Sequence, residues 1–216
     1  MQRLLLNDLI AWKNKKNRLP LILRGARQVG KTWLLQEFGK SAFEDVLYCN
    51  FENMPSLADA FAGELSPKRI LELLSALRGK KIQAQKTLMI FDEVQEIPRA
   101  LTALKYFAED APDYAICCAG SLLGVALHKG TSFPVGKVDF LTLQPLSFEE
   151  FLLAFGEESL IGYIRDAGLT TIPQAIADKM NDYMKRYFVI GGMPGAVNAW
   201  LDTRDFAAVE ERQRHI

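Results

Sequence analysis

The chain has 216 residues, enough for one sizeable α/β core with a smaller appendage. Its 26 Lys and Arg balance 26 Asp and Glu, so net charge gives no pull toward nucleic acid or anionic lipid, although a local basic patch is compatible with that sum. Apolar residues at 49% and charged residues at 24% exclude a disordered or membrane-embedded chain.

The opening run MQRLLLNDLIAWKNKK carries charges inside it and no long apolar stretch. It predicts an amphipathic helix rather than a signal peptide, and no later window reaches membrane-spanning length. A cytoplasmic protein is expected. Five short apolar runs follow, at Leu19–Arg24, Val46–Phe51, Thr87–Asp92, Tyr114–Gly120 and Val138–Leu143. Their unbroken apolar character predicts strands covered on both faces, as in a parallel sheet. Cys49, Cys117 and Cys118 lie within these runs, without metal-ligand spacing, and read as buried free thiols.

Helix signals fall between the runs. A helix is predicted from Thr32 to Phe38. Ser66-Pro67 opens another as N-cap and first residue, and Arg78-Gly79 closes it. Pro98 starts a third, with Leu101, Leu104 and Phe107 on one face. Ser147-Phe-Glu-Glu150 is a capping box ahead of Phe151. Strand and helix alternate from about residue 19 to 145, the signature of a doubly wound α/β fold; beyond that only helices are predicted, broken at Gly191-Gly-Met-Pro-Gly195. The expected division is a core over 1–145 and an all-helical lid over 146–216.

Gly25-Ala26-Arg27-Gln28-Val29-Gly30-Lys31-Thr32 fits the pattern G-x-x-x-x-G-K-[ST] at every fixed position. A loop that wraps a polyphosphate with backbone N–H groups needs glycine where a Cβ would clash or φ is positive. Lys31 then reaches the outer phosphates, the Thr32 hydroxyl binds Mg2+, and the helix that follows, with Trp33 in its first turn, turns its positive end to the same anion. The strand before the loop and the helix-forming run after it are the context this motif requires. The expected fold is therefore a mostly parallel, five-stranded P-loop NTPase core.

The run Leu88-Met-Ile-Phe-Asp92-Glu93 is an apolar strand ending in two acids. An aspartate so placed holds Mg2+ in P-loop enzymes, which suits Asp92. Its neighbour points elsewhere, so Glu93 is the candidate general base for the attacking water. Two acids opening a solvated loop is the competing reading. Ser121, after the next strand, is a candidate contact to the γ-phosphate and equally a helix N-cap. The Asn-Lys-x-Asp segment of guanine readers is absent after any strand, so ATP is expected rather than GTP.

RGARQVGKT, IFDEVQEIP, the strand ending in AGS, and FPVGKVDFLTLQPLSFEEFL together resemble a family of prokaryotic AAA-type ATPases that carry a C-terminal domain of uncharacterised function. The resemblance covers essentially the whole chain. It implies five parallel strands with the P-loop strand central and beside the acidic strand, and it implies that Pro194 packs near the adenine, against the plainer reading of a helix-breaking turn. The family usually has an arginine where this chain has Lys137, which keeps the charge but loses the bidentate fork. Family members continue for a further domain, so the charged helical end at Glu210–Ile216 reads as a truncation, and an attached domain or a homo-oligomer is the implied partner.

Arg24 and Arg27 flank the phosphates; Arg27, within the loop, is a candidate nucleotide contact and equally a salt bridge at the domain edge. Arg99 and Lys105 are candidate trans-acting cations or a solvated helix face. His128 and His215 have no evident partner, and Trp12, Trp33 and Trp200 read as packing residues. The expected function is Mg-dependent ATP hydrolysis coupled to a lid movement at residues 191–195. A non-hydrolysing switch and a nucleic-acid-dependent ATPase are the alternatives.

Overall fold

A computed structural model describes residues 1–120, 136–167 and 172–216. The five apolar runs form β1 (Leu21–Arg24), β2 (Asp45–Asn50), β3 (Thr87–Asp92), β4 (Ala115–Ala119) and β5 (Asp139–Thr142). All pair in parallel, in the order β2-β3-β4-β1-β5. Burial follows that order. Every residue of β3 and β4 is buried, whereas the outer strands β2 and β5 are only partly so. The edge position explains Phe140, which is 38% exposed and covered by the Arg24 guanidinium 3.6 Å from its ring centroid.

One expectation is overturned. The P-loop strand β1 lies between β4 and β5, and β4 separates it from the acidic strand β3. The chain leaves β1, crosses to the far edge at β2 and returns through β3 and β4, so the last strand of that return takes the place beside β1. Sequence order alone does not distinguish this winding from one in which β3 fills that place.

The helices are α1 (Leu5–Lys13), α2 (Lys31–Ala42), α3 (Ala58–Phe61), α4 (Pro67–Arg78), α5 (Pro98–Asp110), α6 (Phe148–Ala154), α7 (Glu158–Ala167), α8 (Gln174–Ile190), α9 (Pro194–Thr203) and α10 (Phe206–Arg214). Local signals set most boundaries. Pro67 and Pro98 stand in the first turns of α4 and α5, and Gly79 ends α4 in the left-handed region at φ 67°. Ser66 occupies the N-cap position but its hydroxyl makes no capping bond. Ser147 and Glu150 form both bonds of the capping box.

The chain falls into two compact units. The sheet unit, Leu5–Gly25 with Lys31–Leu143, is built on a core that includes Ile22, Phe61, Met89, Phe91, Ile116 and Cys118. Phe51, Phe61 and Phe91 stack within it at centroid separations of 5.3 to 5.8 Å. The helical unit comprises Met1–Leu4, Ala26–Gly30 and Gln144–Ile216. Its core gathers Leu146, Phe151, Ile190, Ala196, Val197 and Val209. No single cut in the chain yields these units, because two short segments join the helices from far upstream. Gly192 shows why α8 and α9 are separated by glycine: its carbonyl accepts the Leu146 N–H at 2.6 Å, and a Cβ there would run into the Leu146 carbonyl oxygen.

Candidate phosphate and metal site

Buried β1 delivers the chain to a loop with three positive-φ residues, Gly25 at 149°, Gln28 at 62° and Gly30 at 92°. Two of the three are glycines, which hold this backbone without Cβ strain. Gln28 is not, and its Nε2 donates to the His215 carbonyl at 3.2 Å. Lys31 then opens α2 and is 8% exposed, with Nζ donating to the Gly25 carbonyl at 2.9 Å. Burial pulls its ammonium below the usual lysine range, against the opposing pull of Glu93 and Asp92. An anion at Nζ would relieve that burial cost.

The acidic strand meets the first turn of α2 through Asp92. The Thr32 hydroxyl donates to Asp92 Oδ2 at 2.7 Å, and the Tyr48 hydroxyl donates to the same oxygen at 2.8 Å. Asp92 Oδ1 accepts the Glu93 N–H at 3.1 Å. Asp92 is only 4% exposed. Tyr48 reaches it because parallel pairing sets Asn50 against Asp92, leaving Tyr48 two residues back on the neighbouring strand. Burial pushes the Tyr48 phenol up, and its hydrogen bond to the carboxylate acts in the same sense.

Glu93 leaves the strand in the left-handed region at φ 49°, a costly conformation for a residue with a side chain. A 3-10 turn at Val94–Glu96 follows, and Gln95 Nε2 donates to Glu93 Oε2 at 2.5 Å. The other amide atom, Gln95 Oε1, is buried with no hydrogen-bond partner.

A carboxylate and a hydroxyl side by side are hard oxygen donors. They suit Mg2+, which binds through one or two protein ligands and completes its shell with phosphate and water. Among the described residues no group of three His, Cys, Asp or Glu side chains forms an all-protein metal cage. A groove of about 1090 Å³ beside α4 and α5, lined by Leu71, Ile82, Tyr106 and Tyr114 among others, shares no residue with the loop or the acids.

The remaining candidates distribute as follows. Ala26, Arg27 and Gln28 are exposed and Val29 is buried. Arg27 makes no ion pair with any described residue. Trp33 is 44% exposed, which corrects its reading as a packing residue. Trp12 is buried and donates to the Leu19 carbonyl at 2.9 Å, and Trp200 stacks on Phe206 at 4.4 Å. Arg24 covers Phe140. Arg99 donates to the Phe61 and Gly63 carbonyls, a staple within its own chain. Lys137 pairs with Glu109 at 3.0 Å. Pro194 opens α9 in the helical unit. Ser121 and His128 lie outside the described residues. The cysteines are buried and free, and no described helix is long and apolar enough to cross a membrane. The contacts of Tyr48 with Asp92 and of Gln95 with Glu93 were not legible: Tyr48 belongs to no motif, and Gln95, although inside IFDEVQEIP, is assigned no part by it.

No curated protein matches the sequence. Solved structures share the fold at low identity. The Walker-type ATPase PABY2304 of Pyrococcus abyssi is 17% identical, with a TM-score of 0.54 over 97% of this chain and 70% of that one. PCH-2 of C. elegans is 16% identical, with a TM-score of 0.54 over 97% of this chain and 67% of that one. AMPPCP-bound DnaA from Aquifex aeolicus is 14% identical, with a TM-score of 0.53 over 98% of this chain and 64% of that one. A family model described as an AAA domain, AAA_14, matches residues 17–152, from before the phosphate loop to the capping helix that follows the sheet. With more than half its length matched, the chain belongs to the AAA domain family of P-loop ATPases.

Proposed function

We propose that this chain binds ATP with Mg2+ and hydrolyses it. The observation that carries this reading is the 2.7 Å hydrogen bond from the Thr32 hydroxyl to the Asp92 carboxylate, which joins two motifs far apart in sequence. Lys31 and the backbone N–H groups of Ala26–Gly30 hold the phosphates, and the N-terminus of α2 favours the same charge. Thr32 and Asp92 hold the metal, with Tyr48 orienting Asp92 from the second strand. Bound Mg2+ neutralises charge on the phosphate oxygens. Glu93 accepts a proton from the water as its oxygen bonds to the γ-phosphorus and the bond to the ADP oxygen breaks.

The finer parts of this reading concern use rather than chemistry. Pro194 packs near the adenine, Trp33 flanks the nucleotide, and nucleotide state moves the helices about residues 191–195. An attached domain or a second copy of the chain reads that movement in the cytoplasm. A slow switch is the second reading, favoured by the Gln95 amide, which engages the Glu93 carboxylate. A phosphate-release assay decides between them, with Lys31→Ala as the blank. Turnover above the blank that Glu93→Gln abolishes supports hydrolysis. ATP binding with no turnover above the blank supports the switch.

A further inference from the structure

Arg3 is a buried cation, 5% exposed, and it lies outside both motifs. Three of its nitrogens have protein partners. Nη1 donates to the Val29 carbonyl at 2.7 Å, Nη2 to the Gln144 carbonyl at 2.5 Å, and Nε to Glu150 Oε1 at 3.1 Å. The partner carboxylate is itself fixed. Glu150 Oε1 also accepts the Leu4 N–H at 2.8 Å, and Oε2 accepts the Ser147 N–H at 3.0 Å as half of the capping box. Burying two charges is expensive, so a pair this completely bonded fixes the geometry of whatever it touches.

Val29 is the residue before the second motif glycine, and its carbonyl belongs to the same peptide plane as the Gly30 N–H. No peptide bond here is cis. In a trans plane the carbonyl and the following N–H point in opposite directions. Holding the Val29 oxygen therefore turns the Gly30 N–H away from Arg3. A phosphate loop works only if N–H groups, not carbonyls, face the anion, and a peptide next to glycine rotates with little steric resistance. Gly30 has φ 92°, and a Cβ there would stand 4.0 Å from Arg3 Nη1, so glycine is required by the backbone angle rather than by lack of room.

We infer that Arg3 is a positioning residue for the phosphate loop: clamped by Glu150, it holds the Val29–Gly30 peptide with its N–H presented to the nucleotide phosphates. The inference rests on the ATP-binding reading. It ties the first residues of the chain and the capping box of α6 to the phosphate loop, and it accounts for the grouping of Met1–Leu4, Ala26–Gly30 and the helices in one unit.

The test measures Mg-ATP, Mg-ADP and pyrophosphate affinity by calorimetry, with melting temperature alongside. Arg3→Lys keeps the charge and loses the fork. Arg3→Met with Glu150→Gln removes both charges and leaves an oxygen for the Leu4 N–H. Val209→Ala opens a cavity in the core of the same unit and serves as the comparator for destabilisation alone. Each Arg3 variant is expected to bind all three ligands at least about ten-fold more weakly, the order set by one charge-assisted hydrogen bond, while Val209→Ala binds them like the wild type despite a lower melting temperature. Wild-type affinity in either folded Arg3 variant overturns the inference, as does an equal loss in Val209→Ala. Failure of both Arg3 variants to fold makes the pair a structural staple and also overturns it. A wild type that binds ATP no better than Lys31→Ala defeats the ATP reading itself, a result distinct from the others.

Discussion

The two units bury charge in contrasting ways. In the helical unit Arg3 and Glu150 bond to each other and to backbone groups of their own unit. In the sheet unit the buried Lys31 donates to a carbonyl, and the buried Asp92 accepts from two hydroxyls and a backbone N–H. These hydrogen bonds run to dipoles, and Glu93 and Asp92 also act on the Lys31 ammonium through its charge. A cation and an anion bonded to each other spend their charge on shape. Buried charge thus meets hydroxyls and backbone dipoles at the candidate site of one unit and its own counter-ion in the other.

Substitutions can break or sharpen this contrast. The largest effect is expected at Lys31. Lys31→Ala should abolish measurable phosphate release and weaken ATP about 10- to 100-fold, the range for losing charge-assisted hydrogen bonds, with little change in melting temperature. A large fall in stability with ATP affinity intact would place Lys31 with the scaffold. Glu93→Gln comes next. It should slow turnover by about 10² to 10⁴ while ATP affinity stays within about two-fold, since a general base acts in the chemical step.

Gly192→Ala probes the opposite unit. The new methyl group meets the Leu146 carbonyl oxygen, so urea denaturation should show a loss of about 1–3 kcal/mol, the cost of overpacking. An unchanged midpoint would mean that the α8–α9 junction yields freely.

A smaller effect is expected from a carboxylate whose compensation is complete but peripheral. Burial alone would raise the Asp45 carboxyl, but hydrogen bonds from Lys80 and Arg78 outweigh it and hold the group down at about 2, against an ordinary 3.8. With the folded value below the unfolded one, the stabilisation is present above about pH 4 and is lost as pH falls through about 2. Melting temperatures between pH 4 and 2 should therefore fall more steeply for the wild type than for Asp45→Asn. The smallest effect is the absence of a reaction. Burial pushes the Cys49 thiol up to about 12, and it raises Cys117 and Cys118 as well. A thiol reagent at pH 8 should label none of the three until the protein is unfolded.

Much of this was legible from residues alone. The strands came from unbroken apolar runs, the loop from glycine spacing, and the candidate aspartate from an acid ending a strand, because backbone geometry and burial act on neighbours a few positions apart. Pro67, Pro98, Gly79 and the Ser147–Glu150 box fixed helix ends for the same reason. What only tertiary structure decided depends on distant pairing. The register of β2 on β3 puts Tyr48 on Asp92, the winding of the sheet inserts β4 beside β1, and Arg3 finds a carbonyl in the phosphate loop. These contacts join residues whose separation along the chain carries no local signal, and their geometry exists only once the strands and helices have been brought together.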